Sequence, residues 1–298
     1  MIPRALPNLI FIVAILASSA AAASDVERTG GPYVPTPQAV VDAMLELAKV
    51  GTNDFVIDLG SGDGRIVLTA AQRYGARGFG IEIDPELVQQ SNAEAQRRGI
   101  GDRVSFKEQD VLQAQIEEAS VLTLYLLPGM MQSLEAKLMR ELKPGTRIVS
   151  HDFPFGEWKP DREVTIDIPE KYGTRGQFKS TLFYWVVPMR VQGAWQLSVA
   201  RLAEQPLALT LTQQRQYLEG GLAERGKRQA IAEGRIEGDR IRFKAALNGE
   251  RYDFRGTIEG ERMHGEASRS GRTFAWTATR VQALSAATAR LSGFLARE

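Results

Sequence analysis

The chain has 298 residues, 43% hydrophobic and 24% charged, with a formal net charge of +1, which excludes a largely disordered protein and leaves room for two domains. It has no cysteine, so disulfides and thiolate chemistry are excluded and the redox compartment stays undecided. Two histidines far apart in sequence, His151 and His264, give no metal-ligand pattern.

Met1 to Asn8 contain one charge, Arg4, and are followed by the apolar block Leu9 to Ala17. Ala21 and Ala23 then form an A-x-A cleavage site before Ser24. Residues 1–23 therefore read as a secretory signal peptide, which implies export to a periplasmic or extracellular space. An uncleaved segment extended through the alanines would instead anchor the chain to a membrane. Without residues 1–23 the chain carries 36 basic and 36 acidic residues. It thus lacks the basic excess of a nucleic-acid binder, and no nucleic-acid partner is expected. Residues 24–189 carry 18 basic against 24 acidic residues, and residues 190–280 carry 16 against 11. An acidic first half suits a basic substrate, although a solvated surface alone also accounts for it.

Thr36-Pro37-Gln38 opens a helix whose apolar face is Val40, Val41, Met44, Leu45 and Leu47. Phe55-Val56-Ile57 then reads as a buried strand running into Asp58-Leu59-Gly60-Ser61-Gly62-Asp63-Gly64-Arg65, with a helix beginning near Ile66. A strand, a glycine turn and a helix N-terminus make a nucleoside-cofactor loop, because glycine lets backbone approach a ligand and the helix start offers N–H groups. A nicotinamide site would want a third small residue where Arg65 stands. Asp58 is poorly placed beside a pyrophosphate, and suits the ammonium and sulfonium of S-adenosylmethionine.

Gly78 to Asp84 reads as a second strand, with Glu82 able to accept both ribose hydroxyls and Ile83 beside it. A helix from Pro85 to Arg98 ends at Gly99 and Gly101. Val104 to Val111 reads as a third strand, with Asp110 placed to accept from the adenine amino group against the apolar wall of Val111. Ligands in open α/β sheets sit outside the carboxyl ends of strands, so Asp58, Glu82 and Asp110 are expected to share one site. Taken singly, each also suits a helix cap or a loop. The expected cofactor set is Asp58, Gly60, Ser61, Gly62, Gly64, Glu82, Ile83, Asp110 and Val111.

Val121 to Pro128 reads as a fourth strand, Met130 to Leu142 as a helix, and Arg147 to Ser150 as a fifth strand after the break at Pro144-Gly145. Val164 to Ile168 and Ser180 to Val187 are expected to close the sheet as antiparallel strands, joined to the rest through a loop at Trp158 to Arg162. The fold class is α/β: a Rossmann-like sheet with helices on both faces over residues 24–189. Beyond Pro188 the apolar period becomes two, in Gln196 to Val199, Leu207 to Leu211, Arg240 to Phe243 and Phe274 to Trp276. Residues 234–241 and 256–263 are near copies 22 positions apart, each read as a hairpin, and Asn248-Gly249 and Ser270-Gly271 suit further turns. Residues 190–280 are thus expected to form a small antiparallel β domain, a meander or barrel-like sheet that protects its edges. The alanine-rich stretch from Gln282 to Leu295 reads as a helical tail within residues 281–298.

The glycine motif resembles class I S-adenosylmethionine-dependent methyltransferases. The stretch Pro32-Tyr33-Val34-Pro35-Thr36-Pro37, the motif from Asp58 to Arg65, and Phe153-Pro154-Phe155 with Trp158 and Pro160 narrow the resemblance. Together they resemble the lysine methyltransferases that modify the ATP synthase c-subunit and the adenine nucleotide translocase. The similarity runs from about Pro32 to Pro160, and only the Tyr-Val-Pro-Thr segment points beyond the superfamily. It implies protein-lysine N-methylation, with Tyr33 and Thr36 orienting the amine. Tyr125 at the fourth strand is a further candidate, and Tyr33 also fits a structural aromatic beneath a proline turn.

Many amine and amide methyltransferases carry Asn or Asp, Pro-Pro and an aromatic at the end of the fourth strand; here the chain reads Tyr125-Leu126-Leu127-Pro128. That departure counts against adenine or glutamine as the acceptor. His151-Asp152 offers a base, or a loop former with a cap. A small-molecule O- or N-methyltransferase would share every cofactor residue, and a non-catalytic exported binding protein fits the leader segment.

Overall fold

The computed structural model describes residues 32–281 apart from 172 and 225; residues 1–23, read above as a signal peptide, and the expected helical tail from Gln282 lie outside the described residues. The chain divides between Val187 and Pro188 into two compact units.

In the first unit, α1 (Gln38–Leu47) precedes β1 (Phe55–Leu59), α2 (Arg65–Tyr74), β2 (Arg77–Glu82), α3 (Pro85–Arg97) and β3 (Val104–Glu108). There follow β4 (Val121–Leu124), α4 (Pro128–Glu141), β5 (Arg147–His151), β6 (Arg162–Lys171) and β7 (Thr174–Val186). The strand order is β3-β2-β1-β4-β5-β7-β6. The first five strands are parallel, and the β6–β7 hairpin adds antiparallel to β5. Both faces are covered, and the strands divide their side chains between them. Val56, Val121, Val149, Leu182 and Tyr184 pack with Val40, Met44 and Ile66 of α1 and α2. Ile57, Leu122, Ile148 and Trp185 pack with Met131, Leu134 and Leu138 of α4. Adjacent residues serve opposite layers because side chains alternate along a strand, and so strands buried on both faces read as continuous apolar runs.

The chain leaves β1 on one side toward β2 and β3, then returns to lay β4 on the other. That reversal opens a crevice at the carboxyl ends of β1 and β4. Two expected strands are shorter than read. β4 stops at Leu124, because Leu127 caps α4 and Pro128 starts it, so Tyr125 stands in a turn. β3 stops at Glu108, because Asp110 caps a 3-10 turn over Val111–Gln113. Asp84 is no strand end either: its carboxylate accepts from the Glu86 and Leu87 N–H groups and caps α3.

The second unit is a closed antiparallel barrel. Its strands are β8 (Gly193–Val199), β9 (Leu207–Gln214), β10 (Tyr217–Glu224), β11 (Lys227–Ala230), β12 (Ala232–Glu237), β13 (Arg240–Leu247), β14 (Glu250–Glu259), β15 (Arg262–Arg269) and β16 (Arg272–Arg280). β16 pairs with β8 and β9 with β10, which closes eight strands into a ring, with β11 attached to β10. Closure leaves those eight strands without a free edge. The two near-copies are the β12–β13 and β14–β15 hairpins, pairing Ile236 with Ile241 and Ile258 with Met263. Their turns place Gly238 and Gly260 at φ of 59° in the first central position, the type II′ arrangement whose twist matches the strands. Asn248-Gly249 and Ser270-Gly271 have both residues at positive φ, as type I′ turns require. The interior is filled by Trp195, Phe243, Phe254 and Trp276, with the two phenylalanines stacked at 4.7 Å.

Trp276 is 1% exposed, and its indole N–H donates to the Arg255 carbonyl at 3.1 Å. Trp276→Ala is expected to destabilise the barrel by about 3–5 kcal/mol, read as a lowered denaturation midpoint. A loss below about 1 kcal/mol would show that the barrel interior is not packed around this ring.

Candidate active site

One cavity of about 430 Å³ lies at the crevice, lined by the 32–36 segment, the glycine turn, the ends of β2 and β4 with their following turns, and Phe153. All of Asp58, Gly60, Ser61, Gly62, Glu82, Ile83, Asp110, Val111, Tyr33, Thr36 and Tyr125 line it. Gly64 does not: it caps α2 at φ 76°, and a Cβ there would lie 2.5 Å from the Phe106 ring. Its role is close packing of turn against sheet.

The turn differs from the expectation that it offers N–H groups to a ligand. Gly60 and Ser61 N–H both donate to the Ile81 carbonyl at 2.9 Å, and Gly64 N–H donates to Ser61 O. Gly62 N–H donates to Glu82 Oε2 at 2.8 Å. Since these amides are spent within the protein, the glycines serve another purpose. Gly60 and Gly62 hold φ of 78° and 51°, and a Cβ would fall 2.7 Å from Leu126 at the first and 2.5 Å from the Tyr33 ring at the second. They admit the cavity walls.

What the cavity presents instead is carboxylate. Asp58 is 2% exposed, and its Oδ1 accepts from Thr123 Oγ1 at 2.7 Å. Burial, with Glu82 and Asp63 nearby, pushes its carboxyl up to about 7 against the opposing pull of the Thr123 hydrogen bond. Glu82 accepts from Gly62 N–H and, through Oε1, from Ile83 N–H at 2.7 Å, which ties the end of β2 to the turn. Asp110 Oδ1 accepts from Leu112 N–H at 2.8 Å, so this acid is both a cap and part of the cavity wall. Each carboxylate oxygen has a second lone pair for a ligand. With the Gly60, Ser61, Gly62 and Gly64 amides taken and the Ser61 hydroxyl left without a partner, the cavity favours a molecule that brings hydrogen-bond donors and positive charge. An adenosyl sulfonium carries both, in its ribose hydroxyls, adenine amino group and cationic amino-acid end, and so the residues fit S-adenosylmethionine.

Arg65 has a role that the motif does not reveal. Its guanidinium forks onto Asp63, with bonds of 2.6 to 3.1 Å, and donates to the Thr36 carbonyl at 2.8 Å. The 32–36 segment is thereby fastened over the turn. Burial raises the Asp63 carboxyl, but the hydrogen bonds and charge of Arg65 outweigh it and hold the group below its usual range. Tyr33 lies across Gly62 and is half-exposed, its hydroxyl raised by burial and then by the Asp63 charge. Thr123, which fixes Asp58, is also part of the site region and no motif marks it, and His151, read from the sequence with Asp152 as a base or a loop former, stands behind the cavity wall. His151 is 1% exposed, lies against the Tyr125 ring with centroids 4.0 Å apart and planes tilted by 32°, and is driven down to about 4 by burial, so it is a neutral imidazole.

Comparison with known proteins agrees with this geometry. The family model described as the ANTKMT methyltransferase domain matches residues 58–162. A protein-lysine N-methyltransferase of Saccharolobus islandicus (strain REY15A) is 39% identical over 157 residues, 52% of this chain and 93% of that protein. The lysine N-methyltransferases of the ATP synthase c-subunit from Xenopus laevis and Homo sapiens are 36% and 35% identical over 130 residues, 44% of this chain. The match spans 57% and 55% of those two proteins, little more than half their length. A crystal structure of an RNA methyltransferase from Salinibacter ruber in complex with S-adenosyl-L-homocysteine is 49% identical, with a TM-score of 0.48, covering 53% of this chain and 96% of that one. With the crevice, its carboxylates and the near-complete archaeal match together, the chain belongs to the S-adenosylmethionine-dependent methyltransferases, in the family of the ANTKMT methyltransferase domain.

Proposed function

We propose that the protein is a protein-lysine N-methyltransferase, acting on a lysine presented by a protein substrate. The observation that carries the reading is the cavity itself: three carboxylates at its base, then Tyr33, Thr36, Tyr125 and Phe153 at the substrate side. Ring faces favour an ammonium or methylammonium group, and hydroxyls orient its N–H bonds. The names of the archaeal and animal relatives support the same acceptor.

When bound, S-adenosylmethionine supplies a sulfonium methyl group open to in-line displacement by a neutral amine. Asp58 holds the cationic end, Glu82 the ribose hydroxyls and Asp110 the adenine amino group, with Ile83 and Val111 as apolar walls. Gly60, Ser61, Gly62 and Gly64 shape the turn beneath. Thr36 and Tyr125 orient the amine, and Tyr33 closes over the turn beside it. A lysine ammonium has a reference pKa of roughly 10.4, so the aromatic mouth helps to strip its water and lower that value before attack. Alignment at attack distance contributes several kcal/mol, on the order that intramolecular reactions show. The sequence of residues 1–23 supports export, with membrane proximity if they are retained.

Incubation with methyl-labelled donor and extracts divided into protein, RNA and metabolites is expected to place label on lysine Nε of protein. Label confined to RNA or to small molecules would overturn the acceptor assignment. Asp58→Ala is expected to weaken donor binding by calorimetry about 30-fold or more while the circular dichroism spectrum is kept, since it removes a buried partner of a cation. Unchanged affinity would remove Asp58 from the site.

Asp58 also sets a pH dependence. Its carboxyl is raised in the folded state, so the ligand-free protein binds a proton that the unfolded chain has already lost above its lower pKa. Stability associated with this group is full below about 4 and is lost as pH rises through about 7. Asp58→Asn should therefore gain melting temperature over wild type progressively across that window. Donor affinity of the wild type should rise over the same window, by up to about tenfold per pH unit, and stay flat in the variant. Parallel profiles for the two proteins would contradict the assignment.

A further inference from the structure

His151 and Asp152 sit behind the cavity wall at the end of β5, where the methyl-transfer scheme makes no use of them. Asp152 holds a φ of 59°, in the left-handed region that non-glycine residues seldom occupy. The turn is locked by Asp152 N–H donating to Thr181 O at 2.7 Å and by Thr181 N–H donating to Asp152 Oδ1 at 3.0 Å. This backbone keeps Asp152 Oδ2 3.3 Å from His151 Nε2 and 2.6 Å from Lys171 Nζ. Nε2 is also 2.9 Å from Ser180 Oγ. On the opposite edge of the ring, His151 Nδ1 lies 3.5 Å from Oγ1 of Thr36, which lines the cavity. Strained backbone held this firmly beside a site points to a use for the groups it aims.

We propose that Asp152 and His151 are positioning residues that fix the Thr36 hydroxyl as a hydrogen-bond acceptor toward the substrate amine. An ionised carboxylate only accepts, so the imidazole proton belongs on Nε2, facing Asp152. Ser180, whose hydroxyl rotates to suit, accepts from the same edge. Nδ1 then carries the lone pair and takes the Thr36 O–H, which turns the Thr36 oxygen lone pairs to the cavity. A neutral imidazole is needed for this polarity, and burial keeps His151 neutral. The ring also backs Tyr125 at 4.0 Å, so one side chain orders two groups of the cavity wall. No proton leaves through the relay. It orients the ammonium, and after deprotonation the amine, with its lone pair free for attack. This inference rests on the lysine-methylation reading.

Asp152→Asn tests it, because Thr181 N–H would keep the amide oxygen on its side and present the NH₂ to Nε2. With a donor in place of the carboxylate and the Ser180 hydroxyl free to turn and donate to Nε2, His151 is expected to shift to the Nδ1–H tautomer, and the Thr36 hydroxyl to turn its proton into the cavity. A carboxylate that holds an imidazole in its working tautomer has large catalytic consequences elsewhere. The chain contains two histidines, so imidazole ¹⁵N spectra assign the tautomer of each directly. Wild type should show His151 as Nε2–H and the variant as Nδ1–H. The variant kcat should fall about tenfold or more, with donor Kd unchanged and KM for the lysine substrate moved less than kcat. His151→Asn, whose amide oxygen stands near the Nδ1 position, should keep more activity than His151→Phe. A wild-type His151 protonated on Nδ1, or full kcat in Asp152→Asn, would overturn the proposal even if lysine methylation is confirmed. A wild-type protein that binds donor but methylates no lysine would instead overturn the reading beneath it.

Discussion

Asp58 is the constraint on which the rest of the site depends. A carboxyl with 2% exposure cannot be charged cheaply, and with Glu82 and Asp63 nearby its ionised form waits for a cation. The fold supplies the burial: β1 is an interior strand of the sheet, between β2 and β4, and Thr123 of β4 holds the Asp58 carboxyl from the side. The turn that follows spends its amides on Ile81, Ser61 and Glu82. A crevice shared by many dinucleotide-binding sheets is thereby converted from one that attracts phosphate to one that repels it. Recognition follows from which hydrogen-bonding groups the protein has already satisfied.

Much of this is legible in the order of residues. Gly60 and Gly62 stand out because positive φ and close approach leave no room for a side chain, and the same reasoning finds the hairpin turns at Gly238 and Gly260. Continuous apolar runs mark the parallel strands, and acids two dozen positions apart mark the shared crevice. Other parts are silent for physical reasons. Thr123 matters through one hydroxyl on a buried strand, where threonine is an ordinary residue. Arg65 reads as the wrong residue for a nicotinamide turn, but its bond to the Thr36 carbonyl joins segments 29 positions apart and has no local signature. Tyr125 reads as strand because apolar residues run on past Leu124, whereas Pro128 starts a helix and turns the chain earlier. Closure of the barrel depends on β16 meeting β8, a pairing between segments about eighty residues apart that alternation alone cannot reveal.

The two walls of the cavity divide the labour. The base, made from strand ends, is rigid because Asp58 and Asp110 each have one oxygen tied down by the protein and Glu82 has both. The other wall, the substrate side in the proposed function, is a short segment before α1, held by Arg65 at the Thr36 carbonyl and met by His151 at the Thr36 hydroxyl. In the proposed scheme, positioning on such a surface comes from groups that do not themselves touch substrate, and the locked turn at Asp152 is one of them. The barrel forms its own aromatic-filled core, separate from the methyltransferase core.

The central claim is that this crevice accepts a cationic adenosyl compound and rejects an anionic one of the same size. Titration calorimetry of the intact protein with S-adenosylmethionine, side by side with a nicotinamide adenine dinucleotide, tests it most directly. The account predicts saturable binding heat with the sulfonium compound and none with the dinucleotide, whose pyrophosphate would meet carboxylates and spent amides. Comparable affinity for both would contradict it.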